Sequence, residues 1–295
     1  MSEIRRVGVL GFGLMGSGIA QTCAASGYET IAHEPLAAAR DRGQGAVAKS
    51  LGKLADKNLI TAEARDAALA RLQVVDALDA LRECDLIIEA VTEDLDVKNA
   101  LWQELDPECP AHTVFASNTS SLTIAAMAAA TRRSDRFVGL HFFNPVPLMP
   151  LVEVVRTVGT SDATAARMHE FVRSLGKQPV AAKDASGFIV NLLLVPYLLD
   201  AVRAVERGVA SVTDIDQAMR LGAGHPMGPL TLLDFIGLDT TARIAEIMFD
   251  EYREPRYAPP PLLRRMVAAG LFGRKSGRGF YDYAGETPVP SSLGL

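Results

Sequence analysis

The sequence predicts an α/β protein, a doubly wound sheet followed by an all-α domain, and three observations carry the prediction. A glycine-rich turn, Gly11-Phe-Gly-Leu-Met-Gly16, separates a short apolar run from a small-residue helical pattern. Short apolar runs then alternate with helical segments as far as Val155. From Ser186 onward that alternation stops, and helical segments separated by Gly/Pro breaks remain. The chain has 295 residues, enough for two domains at about 100–200 residues each. They are expected at 1–185, the sheet domain, and 186–295, a helical substrate and dimerisation domain.

Composition sets outer limits. At 48% hydrophobic and 22% charged, the chain is neither disordered nor a small disulfide scaffold. Thirty basic against thirty-five acidic residues give a net charge of −5, which argues against nucleic acid or an anionic membrane as partner. Cys23, Cys84 and Cys109 lie far apart, with no Cys-x-x-Cys and no metal-type Cys/His spacing. The expectation is a reduced, cytoplasmic protein without a metal site. The apolar run Phe188 to Leu199 is broken by Asn191 and Pro196, and is too short for a bilayer that needs about 20 apolar residues. Met1 to Gly27 superficially resembles a secretory signal, but five glycines would break the apolar helix such a signal needs.

The same glycines fit a dinucleotide-binding turn. Val7 to Leu10 reads as a buried strand, and Ser17 to Ser26 as the helix that follows. Between them Gly11 makes the tight turn, Gly13 lets the backbone approach a pyrophosphate, and Gly16 permits close helix–strand packing. Leu14 and Met15 complete the loop, and the helix start offers free N–H groups to phosphate. Thr30 to Glu34 reads as the next strand, placing Glu34 about twenty positions after Gly11. A carboxylate there accepts from a ribose 2′-hydroxyl and repels a 2′-phosphate, favouring NAD over NADP. Arg40 and Arg42 nearby weaken that preference, and His33 is read as a strand residue without a role. The domain is thus Rossmann-type, with NAD as its cofactor.

Residues 36–72 are Ala-, Leu- and Lys-rich without proline, a pair of helices. Lys49, Lys53 and Lys57 recur on one face, either a solvated charged stripe or a phosphate-binding one. Asp85 to Val91 is a central strand, Glu93 to Lys98 leads into a helix, and Thr113 to Ala116 is another strand. Ser117-Asn-Thr-Ser-Ser121 closes it, a polar turn where doubly wound sheets place ligands. Ser120 or Ser121 can also cap a helix over 122–130.

His141 ends the next apolar strand, and Glu153 is the lone carboxylate of Leu151 to Val155. A buried charge is expensive unless paired. If the two segments fold back about Pro147, His141 faces Glu153, as a catalytic dyad or as a satisfied structural pair. Helices are read over Phe188–Arg207, Val212–Leu221, Leu230–Asp250 and Pro261–Ala269. Their apolar faces call for a homodimer, or for packing against the first domain. His225, in a Gly/Pro loop, is read as structural.

Several stretches resemble the short-chain L-3-hydroxyacyl-CoA dehydrogenase family, which includes 3-hydroxybutyryl-CoA dehydrogenases. They are GFGLMGSGIA from Gly11, EAVTEDLDVKNAL from Glu89, ASNTSSL from Ala116 and GLHFFNPVPLMPLVE from Gly139. GFIVN from Gly187, LGAGHPMGPLTLLD from Leu221 and FGRKSGRGFYDY from Phe272 continue the series in order. The resemblance implies NAD-dependent, reversible oxidation of (S)-3-hydroxyacyl-CoA, such as 3-hydroxybutyryl-CoA, to 3-oxoacyl-CoA. It places the catalytic histidine on His141, its partner on Glu153, the substrate-hydroxyl serine on Ser120 and a further catalytic residue on Asn191. It adds Glu93, Lys98 and Asn118 as nicotinamide-side contacts, with Asn144, Ser50 and Lys57 on the acyl-CoA side. Two positions depart from the pattern: Leu192 stands where arginine is usual, and Glu34 where aspartate is commoner. Two other functions stay open, a gulonate-type sugar-acid dehydrogenase on the same scaffold and a non-catalytic NAD-binding protein.

Overall fold

The computed structural model describes residues 3–292 and builds the first part of the chain around one eight-stranded sheet. In chain order its elements are β1 (Arg6–Leu10), α1 (Leu14–Ala25), β2 (Glu29–His33), α2 (Ala37–Asp56), α3 (Ala62–Arg71), β3 (Leu72–Val75) and β4 (Leu86–Glu89). There follow α4 (Leu95–Leu105), β5 (Val114–Ser117), α5 (Ile124–Ala128), β6 (Phe137–Phe142), β7 (Leu151–Arg156), α6 (Asp162–Ser174) and β8 (Gln178–Lys183). The spatial order is β3-β2-β1-β4-β5-β6-β7-β8. Strands β1 to β6 are parallel, β7 runs antiparallel to β6, and β8 is parallel to β7. The sheet is therefore mostly parallel, with two reversed strands at one edge.

The parallel strands are apolar on both faces because helices cover both. Val7, Val9, Leu86, Ile88, Val114 and Ala116 pack one core with α1, α2 and α6. Their alternates Leu10, Ile87 and Phe115 join Trp102 of α4 and Phe137 in the other. There Trp102 stacks on Phe115 at 4.7 Å and meets Phe137 edge-on at 5.1 Å. Strand order reverses between β1 and β4, so the crevice beyond their carboxyl ends is the place for a ligand.

The chain divides into two compact units between Phe188 and Ile189. The second contains α7 (Val190–Glu206), α8 (Val212–Gly222), α9 (Pro229–Ile236), α10 (Leu238–Tyr252), α11 (Pro261–Ala268) and a small ladder of β9 (Tyr281–Asp282) with β10 (Val289–Pro290). Leu198, Leu199, Val202, Leu230, Leu233, Leu238, Met248 and Leu263 form its core. Two buried carboxylates tie α8 to α9 and both helices to the segment around β9. Asp216 accepts from Leu230 N, Thr231 N and Tyr281 Oη, and Asp234 from Phe280 N, Tyr281 N and Tyr283 Oη.

Four features differ from the sequence expectation. The single helix over 230–250 is two, because Gly237 adopts φ +105 between α9 and α10. The helix expected over 122–130 is confined to Ile124–Ala128. Neither Ser120 nor Ser121 caps it; the Asp184 carboxylate does, accepting from Ile124 N at 2.8 Å and Ala125 N at 2.7 Å. Helix α6 and the two edge strands, β3 and β8, were not anticipated. Among the described residues, no helix is long and apolar enough to cross a membrane.

Candidate active site

The glycine turn has the local geometry that phosphate binding requires. Gly11 sits at φ +84, which only glycine adopts without strain. A Cβ at Gly16 would run into the Gly11 carbonyl oxygen, so Gly16 keeps the turn itself closed. A Cβ at Gly13 would meet nothing within 4 Å, the open approach that a pyrophosphate needs. Gly13 caps α1 without a side-chain hydrogen bond, and no acidic residue occupies the first turn. The helix therefore presents uncapped N–H groups and its positive end. Leu14 lies 74% exposed beside this opening, while Met15 leans onto the core.

Glu34 follows β2 directly. Its carboxylate accepts from Phe12 N at 3.3 Å and Leu36 N at 3.2 Å, holding it beside the glycine loop. Arg40 is committed elsewhere: it donates to the carbonyls of Glu34 and Pro35 at 2.8 and 3.0 Å and lies 3.6 Å from Asp76. Of the two guanidinia that weaken the preference for NAD, Arg40 is thus engaged by the chain itself, while Arg42 is exposed on α2. His33 is buried, with Nε2 3.2 Å from the Asp76 carbonyl; burial holds its pKa below the ordinary value.

At the ends of β4 and β5 lies a buried polar network. Glu89, fully buried, accepts from Lys98 Nζ at 2.5 Å, Ser117 Oγ at 2.6 Å and Val91 N at 2.8 Å. Lys98 reaches Glu93 at 3.2 Å. Glu93 then gathers the polar turn, accepting from Thr119 Oγ1 at 2.5 Å, Ser120 N at 3.1 Å and Ser121 Oγ at 2.9 Å. Burial pushes the Glu93 carboxyl up, but Lys98 and these donors outweigh it, and the net direction is below the ordinary value. Burial prevails at Glu89, whose carboxyl is raised against the pull of Lys98, Ser117 and Val91. Asn118 Oδ1 accepts from Phe142 N at 2.9 Å, clamping the turn to the end of β6.

His141 is one residue from that clamp. In the antiparallel ladder it is the direct partner of Glu153, the pairing expected from a fold-back about Pro147. Nδ1 and the Glu153 carboxylate are 2.6 Å apart, with His141 5% exposed and Glu153 fully buried. A carboxylate accepts only, so Nδ1 carries the hydrogen, and in the neutral ring Nε2 keeps a lone pair. The rings of Phe143 and Phe188 pack on the imidazole at 4.5 and 5.5 Å.

The remaining expected residues are placed as follows. Ser120 is half-buried in the turn that Glu93 holds. Asn144 is exposed just after β6. Ser50 is half-buried on α2, and Lys49, Lys53 and Lys57 are exposed along it, Lys57 being its C-cap. Asn191 lies in the first turn of α7, in the helical unit. His225 bonds Tyr197 Oη through Nδ1 at 3.1 Å, a structural partner in that unit. Sequence reasoning missed Glu89, Asp184 and Phe188. Glu89 had a usable signal, since it is a lone carboxylate in an apolar strand, just as Glu153 is.

Residues 6–185 match the family model described as 3-hydroxyacyl-CoA dehydrogenase, NAD binding domain, and residues 187–283 match the C-terminal domain of the same family. The chain is 52% identical over 282 residues to a 3-hydroxybutyryl-CoA dehydrogenase of Mycobacterium tuberculosis, covering 95% of this chain and 99% of that one. Its structure resembles that of Mycobacterium tuberculosis FadB2 with a TM-score of 0.94 at 52% identity, over 96% of this chain and 100% of the other. It also resembles the (S)-3-hydroxybutyryl-CoA dehydrogenase PaaH1 of Ralstonia eutropha, with a TM-score of 0.91 at 44% identity over 96% and 100% of the two chains. With both family domains matched in order on a mostly parallel Rossmann-like sheet and a helical unit, the chain belongs to the 3-hydroxyacyl-CoA dehydrogenases, NAD-dependent oxidoreductases.

Proposed function

We propose that this enzyme interconverts (S)-3-hydroxybutyryl-CoA and acetoacetyl-CoA, with His141 as the general base. The observation that carries the proposal is the buried 2.6 Å contact between His141 Nδ1 and Glu153. It leaves Nε2 as an acceptor of fixed tautomer. Bound NAD supplies the acceptor for the hydrogen and electron pair that leave the carbinol carbon.

The chain's own residues handle the proton and the oxygen. His141 Nε2 takes the hydroxyl proton as the carbonyl forms, and returns one in the reverse direction. Glu153 holds the ring's orientation and offsets the positive charge of the imidazolium. Ser120 is assigned to the reacting oxygen, and Asn191 keeps the role its motif implies. Gly11, Gly13, Leu14, Met15, Gly16 and Glu34 are assigned to the dinucleotide, with Glu93, Lys98 and Asn118 holding the nicotinamide side. Lys98 acts there through its two carboxylates, which already engage its ammonium. Ser50, Lys57 and Asn144 are assigned to the acyl-CoA.

Two further assignments accompany this reading. A homodimer through the helical unit is supported by its exposed apolar residues Leu193, Leu221 and Phe235. A cytoplasmic location is supported by three buried free thiols.

Loss of NADH absorbance with acetoacetyl-CoA, set against NADPH, tests the reaction. Turnover with NADH is expected, and His141→Gln should lower kcat by roughly 10²–10⁴-fold with NADH binding kept. NADH binding without turnover of acetoacetyl-CoA would overturn the proposed substrate. Full activity in His141→Gln would overturn the base.

A further inference from the structure

The imidazole of His141 is held by more than its carboxylate. The ring turns about Cβ–Cγ, and the hydrogen bond from Nδ1 to Glu153 opposes that turn only within the latitude of hydrogen-bond angles, which leaves Nε2 some swing. The outer torsion of a histidine side chain is a broad well that does little to stop this. Contacts on the ring itself must remove the remaining freedom.

Phe188 provides such a contact, and its backbone is unusual. Its ring centroid lies 5.5 Å from that of His141, inclined at 59°, and the residue is 3% exposed. Its φ is +49, in the left-handed region that a bulky residue rarely occupies. The other described non-glycine residues with positive φ, Asn58 and Arg253, are exposed at helix ends, where that conformation is common. Phe188 is buried and ends no helix.

The short segment before it is fastened at three points. The Asp184 carboxylate caps α5, Ser186 Oγ donates to Ser121 O at 2.8 Å, and Phe188 N donates to Ala185 O at 2.8 Å. Gly187, at φ +83, lets the chain turn there. Asp184 and Ser186 thus anchor the segment to the turn that carries Ser120, while Phe188 lies against His141. A strained residue kept in place by so many ties points to a functional demand.

We propose that Phe188 is a positioning residue for His141: its ring limits rotation of the imidazole about Cβ–Cγ and so, together with the Glu153 bond, aims Nε2. The proposal rests on His141 being the base. It assigns Phe188 no contact with substrate or cofactor.

The experiment uses the full-length enzyme with acetoacetyl-CoA and NADH. Phe188→Gly removes the ring and accepts the left-handed backbone, so the fold keeps its turn. Phe188→Leu keeps part of the bulk. Phe188→Gly is expected to lower kcat by roughly 10–100-fold, with NADH affinity and KM changed less than about twofold. Phe188→Leu should recover part of that loss. In a His141→Gln background, Phe188→Gly should lower kcat no further, because the group it positions is gone. Wild-type kcat in Phe188→Gly, or an equal loss in both backgrounds, overturns the proposal. If His141→Gln itself turns over normally, the base assignment fails and this proposal fails with it. If His141→Gln is slow while Phe188→Gly is not, only this proposal fails.

Discussion

Lys98 and Glu89 form a fully enclosed ion pair, 2.5 Å between Nζ and the carboxylate, that joins α4 to the end of β4. Both side chains are essentially inaccessible, and Glu93 is the only other carboxylate the structure places within ion-pair distance of Lys98 among the described residues. Replacing Lys98 alone strands the Glu89 charge in the interior. Lys98→Met should therefore cost about 3–5 kcal/mol of unfolding free energy. Adding Glu89→Gln should return much of it, since the stranded charge is then gone. Urea denaturation of the two variants is the check; wild-type stability in Lys98→Met would refute the argument.

Glu93 gives the site an acid-sensitive side. Its carboxyl is held below the ordinary value in the folded chain. A depressed carboxyl contributes stability above the ordinary carboxylate range, and that contribution fades as pH falls through the depressed value. Thermal midpoints measured through the acid range should thus fall less steeply for Glu93→Gln than for wild type. At neutral pH the variant should be the less stable of the two, because Lys98, Thr119, Ser120 and Ser121 lose their charged partner.

The glycine turn separates binding from folding. Gly13→Ala adds a methyl to open space, so its unfolding midpoint should match wild type. Its NADH affinity should fall at least about tenfold, or ~1.4 kcal/mol. Gly16→Ala forces a methyl against the Gly11 carbonyl and should lose roughly 1–3 kcal/mol of stability. Calorimetric titration beside thermal melts distinguishes the two, and a destabilised Gly13→Ala would contradict this account.

Glu153→Gln keeps a similar shape at the Nδ1 contact and removes the charge. Loss of the counter-charge should lower kcat about 10²-fold with little change in KM. The double variant with His141→Gln should be no slower than His141→Gln alone, since the two residues act as one unit. Steady-state kinetics on the four proteins completes the cycle.

Much of this architecture was legible because each feature had a local cause. The glycine turn needs its residues at fixed positions, and the His141–Glu153 pairing follows from two apolar strands, each with one titratable residue, placed symmetrically about Pro147. What escaped was nonlocal or weakly patterned. The cap of α5 comes from Asp184, far along the chain, and no spacing rule announces it. Strand β8 is an edge strand with a proline and with only Pro179 and Ala182 buried, so it lacks the continuous apolar run of the central strands. Helix α6 is polar overall, and its buried face mixes Thr164 and Arg167 with Ala165, Met168, Phe171 and Val172. Gly237 lies inside the one helix read over Leu230–Asp250, and its backbone angle divides that helix into two.

The reversal of β7 bears on how this enzyme can evolve. His141 and Glu153 are joined through ladder bonds, not through the turn over 143–150 between their strands. That turn can lengthen, shorten or change sequence while the pairing stays where the sheet puts it. A lineage can therefore alter what it accepts by editing the turn and still inherit the same base. Loss is abrupt by comparison. A slip of β7 by one residue turns Glu153 to the other face of the sheet, with no half-paired state on the way.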